Sequence, residues 1–285
     1  MKKILFNGCS FVAGDEIGWK SYCDEVGINY TWVDFCKIID RTDEQEKLWH
    51  YYHDIYKRKC NLPHFVIDLL GLSENNKVDI SADGKSNDNI SISTIQYFLS
   101  MPPENRKNYH VVVGWTQLSR IMVYTPEYLN YMDLNINHIH KPVKGTKRYI
   151  DYIKAVLLNA ENEDLALNYF KNVMLLEYFL LSNNITYTFF RSLGSEQDCI
   201  MRKHFFPPVP GSLEFDKISN ANSWVKLSID SKTPITESSW TEAILGTPET
   251  NPENFMLNNG HPSPYAVTNF AAILANKILQ QQCLF

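Results

Sequence analysis

The segment that most constrains the fold is 109–114 (YHVVVG), a nearly continuous run of apolar, β-branched residues. A strand of this composition is typical of a parallel sheet whose two faces are both covered. Other segments with the character of strands are 4–6, 77–81 and 185–190, and segments with helical periodicity alternate with them. This alternation predicts a three-layer α/β domain, in which a parallel sheet lies between helices.

The remaining segments indicate the domain organisation. Helices are predicted over 43–59, 65–70, 90–98, 165–181 and 265–278. Residues 117–150 lack sustained periodicity, so we interpret them as an insertion that could act as a lid. A second insertion, 192–257, is rich in proline and carries no clear pattern. We expect one domain over residues 1–285, because a composition that is 44% hydrophobic can bury a full core.

The charge pattern bears on possible partners. The net charge is −5 with both signs interspersed, and no dense block of lysine and arginine would follow a phosphate backbone. The most basic stretch, 141–148, lacks interleaved aromatic residues, which favours a solvated loop. We therefore expect no nucleic-acid partner, and the composition leaves the oligomeric state open.

Cysteine spacing and the apolar runs bear on metal binding and location. The six cysteines are scattered without a CxxC pair, so we expect neither a zinc site nor a disulfide scaffold. The apolar run after Lys2 and Lys3 is shorter than the ~7–15 apolar residues of a secretion signal. No segment approaches the ~20 apolar residues of a membrane span. These features predict a cytoplasmic protein with no membrane contact and no metal.

Two residues near opposite ends of the chain suggest a hydrolase. Ser10 follows the first predicted strand, which Asn7 and Gly8 are expected to end with a turn. Ligands of open α/β sheets bind outside the carboxyl ends of the strands, where a serine nucleophile would be useful. His261 precedes the last predicted helix, and a histidine can take the proton that a reacting serine loses. The plainer alternatives are a turn serine and a histidine that only hydrogen-bonds the backbone.

Glycine-containing turns at other predicted strand ends could complete such a site. Gly84 follows one of these strands and Gly114 ends another, and we expect these strand ends to converge on one edge of the sheet. Backbone N–H groups in such turns can stabilise the oxyanion that forms when a serine attacks a carbonyl. Turn geometry alone is the alternative role of both glycines.

Four short blocks, taken together, resemble the SGNH (GDSL-type) hydrolases. They are Gly8-Cys9-Ser10-Phe11, Gly84 with Ser86-Asn87, Gly114-Trp115-Thr116 and Gly260-His261-Pro262, and they look most similar to divergent phage or bacterial members. The resemblance implies a flavodoxin-like fold, Ser10 as nucleophile, His261 as base and no cofactor. It also implies that the amide of Ser10, Gly84 and a side chain hold the oxyanion, and that Gly114 and Trp115 contact the substrate. A phage-encoded member could be associated with the virion.

The chain departs from the family pattern in the first and third blocks. Cys9 stands where the first block usually has aspartate, which alters the support around the serine. Thr116 stands where the third block usually has asparagine. The side-chain donor to the oxyanion is therefore Thr116, Asn87 or absent, and losing such a donor can cost ~3–4 kcal/mol of transition-state stabilisation.

A third departure concerns the partner of the histidine. Asn258 stands where the family has an acid three residues before His261. Asn258 could orient the imidazole without stabilising its charge, or it could only cap the turn at Gly260. A carboxylate from elsewhere, such as Glu242 or Glu253, could also fill the role.

These motifs predict an esterase or deacylase that removes an O-acyl group, such as O-acetyl, through an acyl-serine intermediate. The substrate would be a small-molecule or carbohydrate ester. The carbohydrate preference rests on the resemblance and on the many tyrosine and tryptophan residues, which core packing explains equally well. Two alternatives remain open: a binding or structural protein that keeps the fold but has lost the chemistry, and an O-acyltransferase.

Overall fold

A four-stranded parallel sheet forms the centre of the protein. The computed structural model describes residues 2–14, 16–31, 34–35, 38, 40–117, 120–125, 130–135, 150–152, 154–155, 162–192 and 262–282. Its strands are β1 (Lys3–Gly8), β2 (Lys77–Asp79), β3 (Tyr109–Trp115), β4 (Arg120–Thr125), β5 (Asn130–Asn135) and β6 (Thr186–Arg191). The large sheet has the order β2-β1-β3-β6, and all its neighbours are parallel. The α/β class and the parallel sheet are thus confirmed.

Helices flank these strands in the described part of the chain. They are α1 (Ser10–Ala13), α2 (Trp19–Val26), α3 (Asp43–Tyr51), α4 (Leu62–Leu69), α5 (Asn87–Leu99), α6 (Pro103–Arg106), α7 (Asn162–Ser182) and α8 (Pro264–Gln282). After α3 the chain continues as a π-helical turn, Tyr52–Tyr56, and a 3-10 turn, Lys57–Lys59. The predicted helices at 43–59, 65–70, 90–98, 165–181 and 265–278 are confirmed with small shifts at their ends.

Alternate residues of each strand pack into different hydrophobic clusters. Ile4 and Phe6 of β1 and Val112 of β3 share one cluster with apolar residues of α4 and α8. Leu5 and Val111 share the other with residues of α5 and α7. Because successive side chains of a strand point to opposite faces, the two clusters explain why the run at 109–114 is apolar at nearly every position.

The first strand does not end where the turn chemistry predicted. Asn7 and Gly8 both lie within β1, and the side chain of Asn7 is completely buried. Its amide nitrogen donates to the carbonyl of Ile90 (2.9 Å) and to the hydroxyl of Thr94 (2.8 Å), both on α5. Asn7 therefore fastens the strand to a helix, and the expected turn at this position is wrong.

The predicted insertion at 117–150 contains an antiparallel hairpin that the periodicity did not indicate. Strands β4 and β5 pair with each other in a separate two-stranded sheet. The Asp133 carboxylate of β5 accepts hydrogen bonds from the Ser86 backbone (3.0 Å) and from the Asn89 amide (2.6 Å). The hairpin is thus fastened to the first turn of α5. Of the second predicted insertion, 192–257, only Ser192 belongs to the described residues.

Candidate active site

Ser10 lies at the carboxyl edge of the sheet, two residues beyond the end of β1. It begins the short helix α1, and its side chain is buried, with 5% of the residue exposed. The helix ends at Gly14, whose N–H donates to the Ser10 carbonyl (2.8 Å) and whose φ of 84° lies in the left-handed region. A glycine suits that conformation because it has no Cβ to clash. The tight turn keeps Ser10 directly against the strand end.

Glycines at the ends of β1 and β3 allow α1 to approach the sheet. Gly8 and Gly114 are paired in register on the two neighbouring strands. A Cβ on Gly8 would lie 2.4 Å from Val12 Cγ2, and one on Gly114 would lie 2.5 Å from the same atom and 2.7 Å from Phe190. These distances are far below van der Waals contact, so both positions need glycine. The space beside Gly114, a residue that the resemblance predicts to contact substrate, is filled by Val12 and Phe190.

Trp115, the other residue predicted to contact substrate, belongs to the core. Its side chain is completely buried. The indole packs edge-to-face against Tyr169 (centroids 6.1 Å apart) and Phe189 (5.4 Å). Contacts of this kind stabilise a hydrophobic core.

Cys9 and Ser192 tie together the ends of three strands. The Cys9 sulfur lies 3.4 Å from the Ser192 hydroxyl, which donates to the Trp115 carbonyl (2.8 Å). Cys9 follows β1, Trp115 ends β3 and Ser192 follows β6. The Cys9 side chain therefore supports the edge of the sheet next to Ser10. No sequence signal had singled out Ser192.

Asn87 and Thr116 form a second connection at this edge. The Asn87 carbonyl oxygen accepts from the Thr116 N–H (2.9 Å), and its amide nitrogen donates to the carbonyls of Thr116 (3.3 Å) and Gln117 (3.2 Å). An amide has two hydrogens to donate, and these two carbonyls engage both. The Thr116 hydroxyl, by contrast, is buried and has no hydrogen-bond partner among the described residues. Of the two candidate side-chain donors, Thr116 is the one with a hydrogen to spare.

Gly84 lies in a loop that Lys85 holds against β1. The Ala82 N–H donates to the Gly8 carbonyl (3.1 Å), so the chain after β2 continues alongside β1. Gly84 then takes a φ of 75°, again in the left-handed region. The ammonium of Lys85 donates to Asn7 Oδ1 (3.0 Å) and to the Ile80 carbonyl (2.6 Å), and burial lowers the pKa of Lys85 to about 8. Lys85 is a supporting residue that the motifs did not indicate.

The proposed base and its partners lie outside the described residues: His261, Asn258, Glu242 and Glu253. The helix that follows them is described. Ser263 caps α8 by accepting a hydrogen bond from the Ala266 N–H (3.2 Å). Ala266 and Val267 then pack in the same hydrophobic cluster as Cys9 and Phe11, the two neighbours of Ser10.

No protein-family model matches the chain, and no curated protein does. Among the helices of the described residues, none is both long enough and apolar enough to cross a membrane.

Proposed function

We propose that the protein is a serine ester hydrolase on a three-layer, flavodoxin-like fold of the SGNH type. The position of Ser10 carries the proposal. β1 lies between β2 and β3 in the sheet, so the connection after β1 leaves toward β2 while β3 lies on its other side. The crevice at such a reversal of strand order is where open α/β sheets bind ligands.

The reaction follows from the groups proposed for this edge. Ser10 Oγ attacks the acyl carbonyl while His261 takes its proton, and His261 then gives that proton to the departing alcohol. The N–H groups of Ser10 and Gly84 and the hydroxyl of Thr116 would stabilise the oxyanion. Water, activated by His261, then attacks the acyl-serine, releases the acid and restores the free serine. Asn258 would orient the imidazole.

Two structural observations support this assignment. The strand ends that carry Ser10 and Thr116 are neighbours, because Gly8 and Gly114 are paired and each of the two residues follows its glycine by two positions. Adjacent strands lie ~4.8 Å apart, a distance over which one small acyl group can contact both. The helix that follows His261 in the sequence packs against the cluster that holds Cys9 and Phe11.

A fluorophosphonate probe, which phosphonylates activated serines, tests the nucleophile. We expect labelling of the wild type, none in Ser10→Ala, and unchanged labelling in Ser21→Ala, which removes an exposed serine of α2. His261→Gln should abolish labelling, whereas His64→Gln, on α4, should not. A folded wild type that stays unlabelled would overturn the proposal and favour a binding protein.

A second measurement separates hydrolysis from transfer. Release of acetate from p-nitrophenyl acetate is followed with and without an added acceptor alcohol. A hydrolase releases acetate in proportion to nitrophenol at every acceptor concentration. If nitrophenol release accelerates with acceptor while acetate does not follow, the protein is an O-acyltransferase that uses the same serine.

A further inference from the structure

A polar pocket adjoins the proposed active site on the β2 side. It has a volume of about 150 Å³, and its walls include Ala13, His53, Lys57, Asn61, Asp79 and Asp83. Ala13 lies on α1 three residues after Ser10, and Asp83 immediately precedes Gly84. One turn of helix spans ~5 Å, so the wall formed by Ala13 is about one helical turn from Ser10.

One wall of the pocket is a connected set of charged side chains. The Asp83 carboxylate lies 3.3 Å from the Lys57 ammonium and 3.4 Å from His53 Nε2. Lys57 Nζ and His53 Nε2 are themselves 3.2 Å apart. The hydrogen bond to Asp83 raises the pKa of His53 above its usual value. The His53 ring is also stacked on Trp49, with centroids 5.3 Å apart, which limits its orientation.

Another part of the lining is held in place by hydrogen bonds. Asn61 donates to Asp79 Oδ2 (2.9 Å), and the Ser81 N–H donates to Asp79 Oδ1 (3.0 Å). Burial raises the pKa of the Asp79 carboxyl. Asn61 is itself fixed, because its side-chain oxygen caps α4 by accepting from the His64 N–H (3.1 Å). These hydrogen bonds hold Asn61 and Asp79 in fixed positions in the lining.

The charges of this pocket favour a neutral ligand. Its lining has cationic or titratable basic groups at His53, Lys57 and Arg58 and carboxyl groups at Asp54, Asp79 and Asp83. An anion would meet the carboxylates and a cation would meet Lys57 and Arg58, so neither gains a clear net attraction. A hydroxyl group both donates and accepts, so it can bind between a carboxylate and an ammonium without leaving a charge unpaired.

The size of the pocket limits how much of a ligand it can take. An apolar cavity of about 150 Å³ holds one benzene molecule. A pocket of this volume therefore accommodates a single six-membered ring or a group of similar size.

We propose that this pocket binds one neutral, polyhydroxylated ring of the substrate, on the alcohol side of the ester. The inference rests on the proposed function for its link to catalysis, since it assigns the pocket to the group that departs when Ser10 is acylated. Asp83 and Lys57 are the specificity-determining residues, because together they supply an acceptor and a donor at one wall.

Direct binding tests the pocket independently of any reaction. Saturation-transfer NMR is measured with methyl glycosides of glucose, galactose, mannose and N-acetylglucosamine, and with methyl phosphate and acetate as charged comparators. We expect at least one glycoside to bind, and Asp83→Asn and Lys57→Met to weaken that binding about tenfold or more, as loss of a hydrogen bond to a charged group requires. Asp68→Asn, an exposed aspartate of α4, is the matched control. Thermal unfolding checks that each variant is folded.

The two proposals fail in different ways. If the wild type reacts with the fluorophosphonate but binds no glycoside, or binds only methyl phosphate or acetate, the pocket assignment is wrong and the hydrolase stands. If glycosides bind in a manner that depends on Asp83 but Ser10 is unreactive, the pocket stands as a sugar-binding site and its link to catalysis is wrong. In an active enzyme, Asp83→Asn should lower the ratio of kcat/KM for an acetylated methyl glycoside to that for p-nitrophenyl acetate about tenfold. Equal binding by Asp83→Asn and wild type would overturn the assignment.

Discussion

The hydroxyl of Thr116 should lower the stability of the protein while it raises the rate of the reaction. It is buried without a hydrogen-bond partner among the described residues, and we propose that it donates to the oxyanion. Thr116→Val replaces the hydroxyl with a methyl group of similar size and leaves the backbone hydrogen bond to Asn87 in place. The substitution therefore separates a catalytic role from a structural one.

The two effects have opposite signs and measurable sizes. A buried polar group without a partner costs ~1–3 kcal/mol, so Thr116→Val should leave the free energy of unfolding unchanged or raise it by up to that amount. For a chain of this length, Tm rises by about 2 °C per kcal/mol. Loss of one oxyanion donor costs ~2.7–4 kcal/mol in the transition state, so kcat should fall by ~10²–10³.

Thermal unfolding and p-nitrophenyl acetate hydrolysis measure the two quantities on the same samples. Thr116→Ser is the control, because it keeps the hydroxyl and loses only a methyl group, and it should retain most of the activity. A clear fall in Tm for Thr116→Val would show that the hydroxyl has a structural partner. Full activity in the valine variant would remove Thr116 from the catalytic proposal.

Three further perturbations follow from the same structure. Gly114→Ala places a Cβ 2.5 Å from Val12 and 2.7 Å from Phe190, so urea unfolding should show a loss of ~1–3 kcal/mol, and an unchanged midpoint would contradict this packing. Burial lowers the pKa of His110 to about 3. Below pH ~6.5, His110 therefore binds a proton in the unfolded chain but not in the folded protein. Stability should then fall by up to about 1.4 kcal/mol per pH unit between pH 6 and pH 3, and His110→Gln should remove that share of the slope. Asn258→Asp supplies the acid usual in the SGNH pattern and should accelerate fluorophosphonate labelling, since the reverse change in a serine protease triad costs ~10⁴ in kcat; slower labelling would argue against an orienting role for Asn258.

The elements that build the core could be predicted because their apolar patterns are long and regular. The valines of β3 point alternately to the two faces of the sheet, and both faces are buried. The buried residues of α7, which include Val173, Leu176 and Leu180, recur with the spacing of a helix. A pattern of this kind depends on burial alone, so it can be recognised in the sequence without knowing which residues pack against it. The order of these elements along the chain then restricts the topology to a few parallel arrangements.

The hairpin of β4 and β5 could not be predicted in the same way. It lies outside the main sheet, and polar contacts fasten it to α5: Asp133 to Ser86 and Asn89, and the Met122 N–H to Asp88 (3.3 Å). Because polar contacts leave no hydrophobic period in the sequence, the sequence of this segment indicates only an insertion.

The polar network at the sheet edge could not be predicted from the sequence for a related reason. Asn7 looked like a residue that ends a strand, because asparagine favours turns. Its contacts with Ile90 and Thr94 join positions more than 80 residues apart, and no local pattern contains them. The same holds for Ser192, which lies 183 residues from Cys9.

These long-range contacts give structural roles to polar residues that the motifs place at the sheet edge. Each strand end needs its polar groups satisfied once they are buried, so most polar residues at the edge are engaged by their neighbours: Asn87 by Thr116 and Gln117, and Cys9 by Ser192. A residue engaged in this way can hold the edge rigid but has less capacity left for a substrate. The Thr116 hydroxyl and the neighbouring Trp115 indole N–H depart from this rule, because both are buried without a hydrogen-bond partner among the described residues. For Thr116, we propose that the acceptor is the oxyanion of an ester under attack by Ser10, and the comparison of Thr116→Val with Thr116→Ser tests this role.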